Sequence, residues 1–317
     1  LFPLTQEAVL TPEDIKGMAD VIINEKNREI MLEEGQVDFS YSLEDKARFR
    51  VNAFFQQGYI SMAFRLIPKE IRTLKQLNLP EYLYKFTKFS QGLCLFVGPV
   101  GHGKSTTLAA LINEINKNQE KHIVTIEDPI EYIYEQDKCI INQREVLQDS
   151  KSFHSALKAI FRQDVNVVLV GELRDLETIS TAITAAETGH LIFATLHTND
   201  SPQTIDRIID VFPPEQQNQV RSQLAGTLLG VISQRLVTKI DGGRVPAIEV
   251  MIKNNAIENL IRQGKVYQID NVIETGAEEG MVSMDKSLAD LVRKGISSLE
   301  DTIIYSKDPK NFQSLIK

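Results

Sequence analysis

From residue 92 onward the chain reads Gly92-Leu-Cys-Leu-Phe-Val97, followed at once by Gly98-Pro-Val-Gly-His-Gly-Lys104-Ser105. The first part is a continuous apolar run, which favours a buried parallel strand, and the second matches the pattern of a phosphate-binding loop. Glycines in such a loop turn backbone N–H groups toward phosphate, the lysine reaches the β- and γ-phosphates, and the serine hydroxyl ligates Mg²⁺. We therefore predict a site for ATP and Mg²⁺. Its predicted nucleotide-binding residues are Gly98, Pro99, Val100, Gly101, His102, Gly103, Lys104, Ser105 and Thr106.

Three more apolar runs follow this segment and are separated by stretches with helical periodicity. They cover residues 122–126, 167–170 and 191–196. Continuous apolar strands that alternate with helices are typical of a parallel sheet covered on both faces. The sequence thus predicts an α/β core, and beyond Pro214 it predicts mainly helix. The predicted helices there cover residues 215–236, 256–263 and 284–294.

The N-terminal part of the chain has a different pattern. Thr11-Pro12-Glu13-Asp14 is typical of a helix start, and helical spacing of apolar residues continues to about residue 33. Residues 37–67 alternate between apolar and polar side chains, which predicts antiparallel strands. We predict a small α+β domain at 1–70, a linker at 71–85 and the ATPase domain with a helical C-terminal region at 86–317.

The composition is that of an ordinary globular protein of two domains, with 317 residues, 42% of them hydrophobic and 25% charged. The net charge of −8 argues against a nucleic-acid partner. Cys94 and Cys139 form no CxxC pair, so the sequence predicts a reducing compartment and no zinc site.

No apolar run is long enough to span a membrane, which favours a cytoplasmic protein. Because the chain begins with Leu1, we expect that residues of the first domain are missing.

Acidic and histidine side chains stand at the ends of the predicted strands. Glu172 ends the strand at 167–170, where a carboxylate would lie beside Mg²⁺, so Ser105 and Glu172 are the predicted metal residues. Glu127 and Asp128 follow the strand at 122–126, at the sheet edge where α/β proteins bind ligands. His197 follows the fourth strand and could contact the γ-phosphate or be a polar core residue. For His102 we expect a solvated side chain over the phosphates rather than a catalytic role.

Four segments together resemble the secretion-superfamily ATPases of type II secretion and type IV pili. Residues 98–105, 125–131, 171–178 and 188–198 are similar to that family's Walker A loop, Asp box, atypical Walker B segment and His box, in the family's order. Residues 49–52 and 64–68 resemble the end of its N-terminal PAS-like domain. Residues 256–265 and 284–288 resemble the C-terminal part of the pilus retraction ATPases. The resemblance implies a PAS-like α+β domain followed by a RecA-like P-loop ATPase domain.

The resemblance also implies residue roles. Glu127 matches the glutamate that polarises the attacking water, and Glu172 matches the Walker B glutamate near Mg²⁺. His197, and His190 with it, would monitor the nucleotide. Arg50 and Arg65 match arginines of the N-terminal domain that reach the nucleotide when the two domains close. Further basic candidates, unranked, are Arg162, Arg174, Arg207 and Arg235.

Members of this family work as homohexameric motors, docked on an inner-membrane platform protein of the pilus machinery. The resemblance therefore implies a peripheral protein at the cytoplasmic face of the inner membrane.

Extension and type II secretion ATPases usually carry a tetracysteine zinc module, and this chain has two cysteines in all, which favours retraction. Two departures from the family pattern, at Val165-Asn166 and at Glu258, leave a paralogous role open. The alternatives are an extension or type II secretion ATPase, a RecA-like nucleic-acid translocase, and a nucleotide-dependent scaffold with little turnover.

Overall fold

The computed structural model describes residues 6–44 and 46–317, and these form two compact units. The smaller unit contains the described residues up to Glu70 and also Pro129–Ile133. The larger unit contains Ile71–Asp128 and Tyr134–Lys317. The sequence analysis also predicts that residues are missing from the start of the first domain. That prediction concerns the chain at and before Leu1, which lies outside the described residues.

The smaller unit is a layer of two helices on a three-stranded antiparallel sheet. Its elements are α1 (Pro12–Ile22), α2 (Glu25–Glu34), β1 (Gln36–Leu43), β2 (Ala47–Gln56) and β3 (Tyr59–Ile67). The predicted helix start is confirmed, because the Thr11 side chain accepts a hydrogen bond from the Asp14 N–H. Alternate residues of β1 and β2 point inward, so Phe39, Val51 and Ala53 form the core of this unit.

The larger unit is built on a seven-stranded sheet with the order β10-β9-β4-β8-β7-β5-β6. The strands are β4 (Gly92–Val97), β5 (His122–Glu127), β6 (Ile140–Glu145), β7 (Val167–Val170), β8 (Leu191–Leu196), β9 (Leu228–Thr238) and β10 (Arg244–Ile252). All pairings are parallel except that between β9 and β10. The predicted α/β class and the four predicted parallel strands are confirmed. The carboxyl ends of β4, β8, β7 and β5 therefore lie side by side at one edge of the sheet.

Helices cover both faces of this sheet. They are α3 (Lys104–Asn118), α4 (Phe153–Ala159), α5 (Leu176–Glu187), α6 (Ser201–Asp210), α7 (Pro214–Thr227), α8 (Asn255–Arg262), α9 (Ile269–Thr275), α10 (Met284–Arg293), α11 (Leu299–Ile303) and α12 (Pro309–Ile316). A separate apolar cluster joins α10 and α12 to the ends of β9 and β10 through Val237, Leu288 and Phe312. The C-terminal helices are thereby fixed against the outer strands of the sheet.

The prediction of one long helix at residues 215–236 is wrong in its second half. Helix α7 ends at Thr227, and Leu228 begins β9, which pairs with β4 on one side and β10 on the other. β10 also lies in a region predicted to be mainly helical. A buried central strand carries apolar residues continuously, so its pattern resembles that of a buried helix, and pairing with β4 decides between them.

Candidate nucleotide-binding site

The phosphate-binding loop connects β4 to α3 and takes its shape from three glycines with left-handed backbone angles. The φ angles are 141° at Gly98, 79° at Gly101 and 84° at Gly103. Residues with a Cβ atom rarely adopt such angles, and Gly103 directly precedes the first residue of α3. The amino terminus of a helix provides free N–H groups and a positive partial charge, which favour a bound phosphate.

Lys104 lies at the first position of α3 and is buried at the centre of the site. Its Nζ donates to the carbonyl oxygens of Gly98 at 2.7 Å and Pro99 at 3.0 Å. The same Nζ lies 3.2 Å from Nδ1 of His197, the residue that follows β8. Lys104 thus touches both the loop and the end of the neighbouring strand.

His197 links this lysine to Glu172, which follows the end of β7. His197 Nε2 lies 3.4 Å from Glu172 Oε1. An ammonium group can only donate hydrogen bonds, so Nδ1 of His197 accepts from Lys104 and the ring proton resides on Nε2, facing the carboxylate. The result is a continuous polar chain from Lys104 through His197 to Glu172.

The other carboxylate oxygen of Glu172 is held by Arg174. Arg174 Nε donates to Glu172 Oε2 at 2.7 Å, and its Nη1 lies 3.8 Å from Asp128 Oδ2. This hydrogen bond, together with the two negative charges, raises the pKa of Arg174 above its usual value despite some desolvation. Arg174 therefore joins the acids that follow β7 and β5.

Glu127 is the last residue of β5 and is buried at the same edge of the sheet. The Thr125 hydroxyl donates to its Oε1 at 2.7 Å. Across the β5–β7 pair, a Cβ at Gly171 would lie 3.3 Å from the Glu127 Cα, so this close approach favours glycine. The structure thus brings together the P-loop, Glu172, His197 and Glu127 at the predicted edge.

The expectation that the His102 side chain is solvated is wrong. Its ring is half-buried, and its Nδ1 accepts a hydrogen bond from the backbone N–H of Leu236 on β9 at 2.9 Å. The ring edge also meets Tyr305, with ring centroids 6.0 Å apart. Burial, with the charges of Arg235, Lys104 and Arg244, lowers the pKa of His102. His102 therefore fastens the loop to β9 as a neutral imidazole.

Two polar residues of the site have no counterpart in the sequence-based prediction. Gln234 is buried on β9 and touches both the loop and α3. Asn199 receives two hydrogen bonds from Arg235 Nη2, each at 3.0 Å, and so ties the segment after His197 to β9. Ser233-Gln234-Arg235 interrupts an apolar run, and this interruption could have indicated functional residues. It was overlooked because the segment was predicted to be a helix.

The remaining predicted residues belong to other elements of the fold. His190 precedes β8, at the opposite edge of the sheet from His197, and its ring packs edge-on against Phe161. Arg50 and Arg65 are paired across β2 and β3 in the smaller unit, and Arg50 Nη1 lies 4.0 Å from Glu131 Oε1 of the same unit. Arg162 ends a short 3₁₀ helix, and Arg207 lies in the last turn of α6.

The described residues contain neither a metal-binding cluster nor a membrane-spanning helix. Residues 6–44 and 46–317 contain no cluster of three or more His, Cys, Asp or Glu side chains arranged to hold a metal ion. Among the helices in that part of the chain, none combines the length and the apolar composition that crossing a bilayer requires.

The chain is similar to several known proteins. The profile of the family described as "Type II/IV secretion system protein" matches residues 15–244. The type IV pilus retraction ATPase PilT of Pseudomonas aeruginosa is 48% identical over 291 residues, which is 92% of this chain and 85% of that protein. A twitching motility protein of Neisseria gonorrhoeae is 47% identical over 292 residues, covering 92% of this chain and 78% of that one.

A solved structure is similar over nearly the whole chain. It is the crystal structure of the pilus retraction motor PilT with bound ADP, and the two match with a TM-score of 0.90 at 47% sequence identity. The match covers 98% of this chain and 89% of that one.

Proposed function

The chain belongs to the type II/IV secretion system protein family, and from that premise we propose that it is an ATPase that powers type IV pilus retraction. The relatives named for retraction and for twitching motility match it along nine-tenths of its length. The proposed reaction is hydrolysis of ATP to ADP and phosphate, and the proposed output is pilus disassembly.

The observation that carries this proposal is the polar chain formed by Lys104, His197 and Glu172. It joins the residue that would contact the β- and γ-phosphates to the acid predicted to lie near the metal. A scaffold without turnover would not need this connection. It would bind phosphate with the loop alone.

Binding of ATP would change the partners of Lys104. Its Nζ already contacts the Gly98 and Pro99 carbonyls and His197 Nδ1. A γ-phosphate oxygen that approaches Lys104 would compete with these contacts. His197 is the most easily displaced, because its side chain is 40% exposed, whereas the two carbonyls belong to the loop backbone. His197 would in this way report the presence of the γ-phosphate to Glu172.

The residues at this edge suit Mg²⁺, which prefers oxygen ligands and keeps several of its waters. The Ser105 hydroxyl lies in the first turn of α3, and the Glu172 carboxylate lies at the end of β7. We assign Ser105 as a direct ligand and Glu172 as a ligand partly through water. When bound, the ion would offset the charge of the β- and γ-phosphates.

The buried carboxylate of Glu127 is proposed to orient and polarise the attacking water. Its Thr125 hydrogen bond occupies one oxygen and fixes the direction of the carboxylate. Phosphoryl transfer also gains from an arginine that stabilises the developing charge. By family resemblance we assign this role to Arg50 and Arg65 of the smaller unit.

By the same resemblance, we propose that the chain assembles into a homohexamer and acts on the pilus machinery. Its proposed place is the cytoplasmic face of the inner membrane, against a membrane-embedded platform protein. The net charge of −8 gives no support to a nucleic-acid track.

An ATPase assay on the purified protein tests the catalytic assignment. Wild type should hydrolyse ATP, and Glu172→Gln, Glu127→Gln and His197→Ala should each lower the rate, the two carboxylate variants by on the order of 10²-fold or more. Glu300→Gln is the matched control, because Glu300 is an exposed acid on α11, and it should retain the wild-type rate. Equal turnover in wild type and in both carboxylate variants would remove the proposed mechanism.

A further inference from the structure

Gln234 lies on β9 directly beside the start of the phosphate-binding loop. In the β4–β9 pair Val97 is opposite Ser233, so Gln234 stands next to the point where β4 becomes the loop. Its side chain is 2% exposed. A buried amide must find partners for both its oxygen and its nitrogen, because an unpaired one is costly.

The Gln234 amide finds those partners on both sides of the loop. Its Oε1 accepts from the Thr107 hydroxyl in the first turns of α3 at 2.8 Å. Its Nε2 donates to the backbone carbonyl of His102 at 2.9 Å. A single side chain thus connects the last turn of the loop to the helix that follows it.

The bond to the His102 carbonyl also determines the direction of the next N–H. In a planar trans peptide the C=O and the following N–H point in opposite directions. Because the His102 carbonyl faces Gln234, the Gly103 N–H faces away from β9, toward the inner side of the loop. A phosphate-binding loop requires its N–H groups on that side.

The fit around this contact is close. A Cβ at Gly103 would lie 2.8 Å from Gln234 Nε2. On the other side of the loop, a Cβ at Gly98 would lie 2.5 Å from the Gln234 backbone oxygen. A larger residue at Gly98 would clash with fixed backbone, and one at Gly103 would have to displace the Gln234 amide.

We propose that Gln234 is a positioning residue for nucleotide binding, which holds the Gly103 N–H toward the phosphates through the His102 carbonyl and is itself oriented by Thr107. The inference rests on the proposed nucleotide site, and it is separable from hydrolysis because it concerns binding. Gln234 touches no nucleotide atom in this account.

Titration of ADP by calorimetry, with and without substitutions, tests the inference independently of turnover. Gln234→Met, which keeps the volume and removes both hydrogen bonds, should weaken ADP binding about tenfold. Thr107→Val should also weaken it, by about threefold, whereas Thr107→Ser, which retains the hydroxyl, should bind as wild type does. In the Gln234→Met background, Thr107→Val should have a smaller effect than in wild type, because only the contact of its hydroxyl with the Gly103 carbonyl at 3.2 Å is left to lose.

Ser233→Ala is the matched control for a purely structural effect. Ser233 is the preceding buried residue of the same strand, and its hydroxyl bonds to Glu249 instead of to the loop. It should change the melting temperature without changing ADP affinity.

Unchanged ADP affinity in Gln234→Met would overturn the inference, as would independent, additive effects of the Thr107 and Gln234 changes. If Gln234→Met does not fold, equal affinities of Thr107→Val and Thr107→Ser would overturn it as well. Failure of the proposed function would appear differently, as ADP binding by wild type without ATP turnover.

Discussion

At the scale of single residues, the site depends on the hydrogen-bonding roles that neighbours impose on each side chain. His102 is a clear case, since its Nδ1 accepts the Leu236 N–H and so must be unprotonated. Burial first, and then the positive charges of Arg235, Lys104 and Arg244, keep its pKa below the ordinary value. The neutral ring is thus part of the folded structure.

This predicts a pH dependence of stability. A histidine whose folded pKa is lowered contributes stability that is present above the unfolded value of 6.5 and is lost as pH falls from there toward the folded pKa. His102→Asn retains an acceptor near the Nδ1 position but does not titrate. The melting temperature of wild type should therefore fall more than that of His102→Asn between about pH 7.5 and about pH 5.5, by roughly 1–2 °C. Parallel curves for the two proteins would contradict this role.

At the scale of elements, the loop between β4 and α3 is shaped by the strand beside it. Gly98 and Gly101 both have positive φ angles, but only Gly98 lies against β9. A Cβ at Gly98 would also lie 3.1 Å from Arg235 Nη1, whereas a Cβ at Gly101 meets nothing within 4 Å. The two glycines differ in contact with β9 and also in backbone angle, since 141° lies farther from the left-handed helical region than 79° does.

Comparison of Gly98→Ala with Gly101→Ala tests this contact. Gly101→Ala should cost about 1–2 kcal/mol through backbone strain alone. Gly98→Ala should cost about 3 kcal/mol or more, because the clash with a backbone oxygen adds to the strain. Thermal unfolding ranks the two variants, and ADP titration should show the larger loss for Gly98→Ala. Equal destabilisation would mean that β9 does not constrain the loop.

The segment between α11 and α12 is held to the sheet by Lys307. Its Nζ lies 2.8 Å from Glu249 Oε2 and 2.9 Å from Asp270 Oδ1. Burial alone would lower the pKa of Lys307, but the carboxylates of Glu249, Asp270 and Asp200 outweigh it and raise the pKa above the usual value. Glu249 itself is 1% exposed on β10, so this ion pair is largely shielded from solvent.

Lys307→Met should therefore destabilise the larger unit by about 2 kcal/mol, since it leaves a buried carboxylate without its cation. Adding Glu249→Gln should restore part of the loss, because the uncompensated charge is then removed. Thermal unfolding of the two single variants and the double variant measures this coupling. Additive losses in the double variant would show that the pair is not coupled.

The sequence predicts an element well when its structure is determined by neighbouring residues, and poorly when it is determined by contacts with distant parts of the chain. The strands at 92–97, 167–170 and 191–196 were predicted to the residue, because apolar runs bounded by glycine and polar residues carry the information locally. β9 and β10 were not, because their strand conformation depends on pairing with β4. The contacts of Gln234 and His102 follow from that pairing, so they too could not be derived from the sequence.

At the scale of the whole molecule, the residues of the proposed ATP site on the P-loop, β5, β7 and β8 lie within the larger unit, whereas Arg50 and Arg65 belong to the smaller one. The sequence pattern predicted two regions of different class. It did not predict that Pro129–Ile133, directly after Asp128, would be grouped with the smaller unit. A five-residue segment of this kind is shorter than two helical turns, so it is too short to show a periodic pattern in the sequence.

We propose that ATP hydrolysis by this protein drives pilus retraction. Deletion of the gene in its natural host, followed by electron microscopy of surface pili and a twitching assay, tests this proposal. We expect hyperpiliated cells that do not twitch, with the wild-type behaviour restored by the gene carrying Glu300→Gln and not by the gene carrying Glu172→Gln. Cells without surface pili would contradict it and would indicate an extension motor instead.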